Sequence, residues 1–561
     1  MFEMKKRIVC LSLSALMMFS LLAPSFAAEK KCNCGKTPVV SVVGFGHVPL
    51  VNGEGIQVFA PEAKTIVEAV LPCVPSLLQF LSDGDAGALL DAVIPAAKQL
   101  FDPIKCDENG DSVDPTVTVE RFYEESCDTY DYKIKGDGQD GLSLECAKTV
   151  GGDHTFIFSH DWRRSPMDTA KDLNDYIQKV KETTGHDKVS INGQSMGTCI
   201  VQAYLAQYGT KDIKNIGMFS GAFTGLEMCG DLFTGKLSID ADGVTDILVQ
   251  AINGSPDKNA LGELLKYTGL FEKVIEKFAP LLNEGEYKDR LYDELLIPYF
   301  GMYAGVWSFV PEETFDEAIN YMYNNDTFSF RPSDSYIEKL TAYHDEVQGT
   351  LKERCDEYYK DENICFSIVS NYNRQIAPVT PSSTMNSDGI IETYRTSYGA
   401  TVANRNTTLG ENYVQAVKDG HNHVSPDTVV DASTCAFPEC TWFIKNLDHV
   451  KFYSDSSATL HAWLITADKQ YTVYSNPLFT QFLYYNIDAD YMSVYLDKYG
   501  DVNMDGTIDL VDARLALRHL LERDELQKVN LQRADGITID GVITKDEVQS
   551  IADTYAADYN A

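Results

Sequence analysis

Val189-Ser-Ile-Asn-Gly193-Gln-Ser195-Met-Gly197-Thr-Cys199-Ile-Val-Gln-Ala203 decides the reading of this chain. Its first four residues suit a short buried strand, and its last eight suit a helix. Between them, Gly193-x-Ser195-x-Gly197 spaces two residues without side chains around a serine. That order predicts a sharp strand-to-helix turn that presents the Ser195 hydroxyl, with the helix's unpaired N–H groups behind it.

Working outward, Pro38–Gly44 reads as a buried strand that ends in Gly44-Phe45-Gly46-His47. Helical stretches follow around Ala60–Phe80 and Ala88–Leu100. His154–Ser159 is the next strand, ending at His160-Asp161-Trp162-Arg163. Thr169–Thr184 has the spacing of an amphipathic helix, and Lys188–Asn192 and Ile213–Phe219 return as strands. Strand and helix in alternation predict an α/β sheet built by crossovers. From about 230 to 345 the pattern becomes helical and aromatic, with Leu261–Phe278 and Tyr292–Val310 as helical segments. The aromatic residues there are Phe271, Phe278, Tyr292, Tyr299, Phe300, Tyr303, Trp307 and Phe309. This region is expected either to hold its own core or to cap a site for an apolar group. Ile364–Ser370 resumes the sheet and Tyr471–Ser475 suits a late strand, while Tyr484–Tyr499 fits neither period.

The N-terminus carries Lys5, Lys6 and Arg7, an apolar run from Ile8 to Leu22, and Ser25-Phe26-Ala27 as a cleavage site. Residues 1–27 therefore read as a secretory signal peptide, and no later run has the length expected of a membrane helix. Removing Glu3, Lys5, Lys6 and Arg7 subtracts a net +2 from the formal charge of −36. So acidic a surface argues against nucleic acid as a partner and favours cations such as calcium. Twelve of the 13 cysteines lie beyond this segment. The near pairs are Cys32/Cys34, Cys355/Cys365 and Cys435/Cys440. Export favours disulfides or buried thiols for them over structural zinc, since histidine is nearly absent beside them.

About 530 residues exceed one ordinary core, and a boundary is expected near Gly500. Beyond it, Asp501-Val-Asn503-Met-Asp505-Gly506-Thr507-Ile-Asp509-Leu-Val-Asp512 sets oxygen donors at calcium-loop positions 1, 3, 5, 9 and 12. The Thr507 carbonyl is at position 7 and Gly506 at the turn. A second loop has Asp540, Thr544 and Glu547 at positions 5, 9 and 12 when counted from Gly541. Asp535 then falls one residue early, so this loop either bulges or binds calcium poorly. Ca²⁺ is the expected cofactor here, and none is expected for the chemistry at Ser195.

A serine hydroxyl needs a histidine to take its proton and a carboxylate to orient that histidine. With the order Ser, acid, His, Asp388 in Asn386-Ser-Asp-Gly-Ile390 is the first candidate acid, ahead of Asp427 and Asp431. His449 is the first candidate base, ahead of His461; His421 and His423 lie in a polar turn. The N–H groups of Met196 and Phe45, with Gly46 as the alternative to Phe45, are the expected oxyanion donors.

Val-Val-Gly44-Phe-Gly-His47, Asp161-Trp-Arg-Arg-Ser-Pro166, Lys188–Gly197, Trp307-Ser-Phe-Val-Pro311 and Asn386–Ile390 together resemble the lecithin:cholesterol acyltransferase-like branch of the α/β-hydrolases. Gln194 departs from the histidine common at that position in the branch. Residues 500–557 resemble a type I dockerin. There Leu510 and Val511 match positions that face a cohesin in the first repeat, and Lys545 and Asp546 match them in the second. The resemblances imply an α/β-hydrolase sheet with a helical cap insertion, plus a small all-α calcium-binding dockerin-like domain. They also imply a secreted esterase or lipase tethered to a cellulosomal scaffoldin's cohesin and acting on an ester with an apolar or plant-derived acyl group. The alternatives are a lipid O-acyltransferase or phospholipase, and a noncatalytic dockerin-borne binding module.

Overall fold

In the computed structural model, residues 31–61, 63–119, 125–128, 140–239, 270–283, 285–451 and 455–560 are described. Residues 1–27, read as a signal peptide, and 240–269 and 284 of the 230–345 region lie outside them. So do the first part of Leu261–Phe278 and the side chains of Phe271 and Phe278.

Eight strands form the central sheet: β1 Val39–Val42, β2 Thr155–Phe158, β3 Val189–Gln194, β4 Ile213–Phe219, β5 Cys365–Tyr372, β6 Thr441–Lys445, β7 Phe482–Asn486 and β8 Tyr491–Val494. Their spatial order is β8-β7-β6-β5-β4-β3-β1-β2. All pairs are parallel except β7 with β8. Every residue of β1, β2 and β5 is buried, as strands covered on both faces require. Helices α1 Asp140–Val150, α2 Pro166–Thr184, α3 Met196–Tyr208 and α4 Asp455–Ile465 flank the sheet. The chain steps one way from β1 to β2 and then back past β1 to β3. Right-handed crossovers therefore put α1 and α2 on opposite faces and open a crevice at the C-terminal ends of β1 and β3.

Local chemistry sets the helix limits. The Ser165 hydroxyl accepts the Met167 N–H, and Pro166 occupies the first turn of α2, where a missing N–H costs nothing. Gly185 closes that helix with φ 70°. Between β4 and β5 lies the helical insertion, including Glu227–Phe233, Leu270–Leu282, Phe315–Tyr323, Asp334–Tyr343 and Leu351–Lys360. Tyr292, Tyr303, Trp307 and Tyr336 belong to the same hydrophobic core as the sheet, so this part of the insertion packs as one body with it. Tyr292–Val310 is not one helix: it breaks into a π-turn at Tyr292–Leu296, a 3-10 turn at Phe300–Met302 and one helical turn at Ala304–Trp307.

Several expectations are corrected. Tyr471–Ser475 is not a strand; the late strands β7 and β8 come from 482–494, in and beside the stretch whose periodicity was mixed. The mixture arises because the stretch holds the end of β7, a turn at 487–490 and β8, so no single period runs through it. Of the two states expected for the near pairs, disulfides or buried thiols, Cys355, Cys365, Cys435 and Cys440 are buried thiols, and Cys32 and Cys34 are free and less buried. Cys355 sits on a helix and Cys365 begins β5. Lys64–Asp83 does meet the length and hydropathy of a membrane-crossing helix, with mean hydropathy 1.5 and 17% of it buried. Within it, a 3-10 turn at Leu71–Cys73 containing Pro72 separates Ala63–Val70 from Val74–Asp83.

After β8, α5 Leu510–Leu520, α6 Lys528–Ala534 and α7 Lys545–Asn560 enclose a hydrophobic cluster of their own around Val502, Ala516, Ile543 and Ile551. The cluster is joined to the sheet edge by Gln532 Nε2, which donates to the Met492 carbonyl at 3.4 Å.

Packing is close under the serine turn. A Cβ on Gly197 would overlap the Val42 carbonyl oxygen, and one on Gly193 would sit 2.5 Å from the Thr198 nitrogen. G197A should therefore lower stability by about 1–3 kcal/mol in denaturant unfolding, because β1 and α3 must separate to admit one methyl group. An unchanged midpoint would contradict this packing.

Candidate active site

Ser195 follows β3 directly and begins α3 with φ 51° and ψ −124°, a conformation that costs a non-glycine residue of order 1–3 kcal/mol. Its neighbours hold it there. Its N–H donates to the Phe219 carbonyl at 3.3 Å, and its carbonyl accepts the Thr198 hydroxyl at 2.6 Å and the Ala222 N–H at 3.1 Å. The side chain is nearly buried, at 8% exposure. Met196 is the first residue of α3, so its N–H lacks an intrahelical acceptor.

The loop after β1 meets this turn at the crevice. A Cβ on Gly44 would lie 3.1 Å from Ser195 Cβ and 3.7 Å from its Oγ, which puts Gly44, the residue before Phe45, beside the hydroxyl. His160, after β2, donates from Nε2 to the Val43 carbonyl at 2.9 Å and so fixes this loop. Burial depresses the His160 pKa despite that bond and the nearby Asp161, which keeps the ring neutral. The Arg163 guanidinium grips Asp161 through Nε at 3.0 Å and Nη2 at 2.6 Å, and donates to the Ile104 carbonyl at 3.0 Å. This ties the loop after β2 to the insertion after β1.

Asp388 and His449 are in contact. The Nδ1–H of His449 donates to Asp388 Oδ2 at 2.6 Å, and the His449 N–H donates to the Asp388 carbonyl at 2.9 Å. Asp388 is fully buried, and its Oδ1 accepts the N–H groups of Ile390 at 2.9 Å and Ile391 at 2.8 Å. Both carboxylate oxygens are thus used, the ring tautomer is set, and Nε2 is left to serve a reactant. Burial alone would lower the His449 pKa. The charge and hydrogen bond of Asp388, with the charge of Asp448, outweigh it and hold the pKa above its usual value.

Ser195, Asp388 and His449 follow β3, β5 and β6, so all three stand on the C-terminal edge of the sheet. The loops between them are sewn together. Asn371 Nδ2 donates to Ser220 Oγ at 3.0 Å, Asn373 Nδ2 donates to Asn446 Oδ1 at 2.6 Å, and Arg374 Nη2 pairs with Asp448 at 2.9 Å. Ser220, Asn373 and Asn446 have φ of 41°, 71° and 68°, turning the chain sharply at strand ends. These supporting residues were missed in the sequence; small polar residues just past buried runs were the available signal.

The other candidates are occupied elsewhere. His461 lies on α4 in the core, its Nδ1 donates to the Ser457 carbonyl at 2.8 Å, and its ring packs on Phe219. Burial drives its pKa down to about 3. His423 is held by Gln481 and Asp419, Asp431 accepts from Ser433, Ala416 and Tyr413, and Asp427 pairs with Lys445 at 3.0 Å. His421 stacks on Tyr474.

Aromatic rings line the approach. Phe45, 39% exposed, packs against Trp162 at 4.2 Å between centroids, and Phe59, Tyr303 and Phe309 surround the pair. The helical insertion closes directly on the turn, since a Cβ on Gly305 would overlap the Trp162 carbonyl oxygen and sit 2.5 Å from Met196 Cε.

No protein-family model and no curated protein matches this chain. Among solved structures it is similar to a chain in the crystal structure of the Tle4–Tli4 complex. That match has 12% identity and a TM-score of 0.32, over 77% of this chain and 97% of the other. The mostly parallel, helix-flanked sheet and the buried His–Asp pair are those of an α/β-hydrolase-like centre.

Because Asp388 raises the His449 pKa, D388N should shift the His449 titration to lower pH, as read by NMR of its ring. The sign follows for stability. The pair's contribution is complete below the unfolded histidine pKa of about 6.5 and is lost as pH rises through the folded value. The gap in unfolding free energy between wild type and D388N should therefore narrow above neutral pH. An unmoved titration would contradict the assignment.

Proposed function

We propose that this chain is an exported serine hydrolase that cleaves carboxylic esters through an acyl-enzyme. One observation carries the reading: a strained serine at the sheet's switch point shares an edge with a buried, fully bonded His449–Asp388 pair. In this mechanism Ser195 Oγ attacks the ester carbonyl and His449 Nε2 takes its proton. Asp388 orients the ring and stabilises its charged form. The N–H groups of Met196 and Phe45 receive the oxyanion, and the alcohol leaves with the proton from His449. Water, activated by the same histidine, then releases the acid.

The rings around Phe45 favour a substrate with an apolar part. So does the exposed apolar surface of Ile66, Val67, Val70, Leu71 and Leu78 on the insertion after β1. Both support a lipase or phospholipase reading within the lecithin:cholesterol acyltransferase-like branch more than a small plant-derived ester. Transfer to an alcohol would require only that the alcohol replace water at the second step.

The C-terminal segment is proposed as a calcium-dependent dockerin that binds a cohesin. Its donors are hard oxygens: Asp501, Asn503, Asp505, Thr507, Asp509 and Asp512 in one loop, Asp535, Asp540, Thr544 and Glu547 in the other. They suit Ca²⁺, which would stiffen each loop at the head of its helix. In the first loop, Asp501 accepts the N–H groups of Asp505 and Gly506. In the second, Asp535 accepts those of Ile539 and Gly541, one residue further apart. Met504 and Ile539, each two residues before its glycine, both have positive φ. The extra residue is therefore a bulge ahead of Ile539, and the two loops are otherwise alike. Leu510 and Val511 are exposed apolar residues at the head of α5, as a cohesin-facing pair would be.

A chain-length series of p-nitrophenyl esters tests the catalytic reading. Wild type should prefer longer acyl chains, and S195A should lose about 10⁵–10⁶-fold in kcat. Hydrolysis retained in S195A would overturn the mechanism. Titration calorimetry of the full chain with calcium tests the second part: wild type should bind, and D505A should bind more weakly. No heat in wild type would remove the docking claim and leave the hydrolase intact.

A further inference from the structure

Far from the serine, four side chains converge that no part of the reaction uses. Cys32 and Cys34 precede β1, His154 precedes β2 and His186 precedes β3. These three strands are neighbours in the sheet, so the residues meet at its N-terminal edge, opposite the catalytic edge. One ligand atom from each lies within 4.8 Å of all the others. His154 Nε2 is 3.0 Å from His186 Nε2, 3.7 Å from Cys34 Sγ and 4.0 Å from Cys32 Sγ. Cys34 Sγ is 3.5 Å from His186 Nε2.

We infer that these residues form a structural zinc site of the Cys₂His₂ type. A tetrahedron with Zn–N near 2.05 Å and Zn–S near 2.3 Å has N···N edges of about 3.3 Å and N···S edges of about 3.6 Å. The observed separations scatter around those values. A hydrogen bond between the two histidines would explain their approach but gives no reason for two sulfurs to gather on the same nitrogen.

The surroundings match a metal site. His154 Nδ1 is 2.7 Å from the Asp153 carboxylate, which fixes the tautomer that leaves Nε2 as the ligand, the usual carboxylate support for a metal-bound histidine. The Lys36 N–H donates to Cys34 Sγ at 3.4 Å, which favours the thiolate. The Cys32 N–H donates to the Gly185 carbonyl at 2.9 Å, and Lys31 pairs with Asp187 at 3.5 Å, so both cysteines are held against the turn that bears His186. Two thiolates and two imidazoles select zinc over calcium or magnesium, and four protein ligands leave no open position for catalysis. The ion would staple the segment before β1 to the turns feeding its two neighbours.

The test is metal analysis of the full chain produced without residues 1–27, loaded with zinc under reducing conditions and freed of excess by gel filtration. Wild type should keep about one zinc per chain. C34S should keep none, and H186A, which retains both thiols, should also keep none, with unchanged circular dichroism. Cobalt in place of zinc should give the visible bands of a tetrahedral thiolate site in wild type alone. Removal of zinc by a chelator selective for zinc over calcium should lower the thermal midpoint of wild type and leave that of H186A unmoved. Wild type without bound zinc, or with a Cys32–Cys34 disulfide that zinc and reductant do not displace, would overturn the site.

Discussion

The backbone at Ser195 is the constraint on which the rest depends. A residue with φ 51° and ψ −124° is unfavourable in isolation and persists only where its surroundings leave no alternative. Here β3 feeds the chain in, α3 carries it out, and the Phe219, Thr198 and Ala222 hydrogen bonds hold the carbonyl and N–H between them. The absence of side chains at Gly193 and Gly197 lets β1 and α3 approach closely enough to clamp the turn. A parallel sheet is well suited to this, because it delivers consecutive strand ends to one edge and lets separate loops meet there.

The electrostatic design follows from burial. Asp388 sits wholly out of water, which is costly for a carboxylate unless every oxygen finds a donor. The N–H groups of Ile390 and Ile391 and the His449 ring supply them. The same contacts orient His449 and make its protonated form easier to reach. Arg374 balances the charge of Asp448 next to the histidine, so that the loop is braced without a lone charge beside it.

The two edges of the sheet have different work. The C-terminal edge gathers the hydroxyl, the imidazole and an aromatic approach. The N-terminal edge gathers sulfur and nitrogen ligands from the segments before β1, β2 and β3. Ligands from three adjacent strands would brace the end of the sheet that the reaction does not use, and the C-terminal helices close the far edge at β8.

The serine turn, the strands before and after it and the helix that follows it were legible in the sequence. Each depends on residues close in the chain: glycines where the backbone must turn and apolar runs where a strand is covered. Asp388 and His449 were legible as candidates, since the Ser, acid, His order restricts where they fall. The sequence ranked His449 ahead of His461, and the fold gives the reason: His461 is a core histidine on α4, whereas His449 partners Asp388 after β6. The late strands were hidden because two short runs flank a turn at 487–490, so no one period runs through the stretch. The Cys32, Cys34, His154 and His186 cluster was invisible because its members are up to 154 residues apart. Only the strand order β2-β1-β3 brings them together, and strand order is set by packing across the whole sheet rather than by any local run of residues.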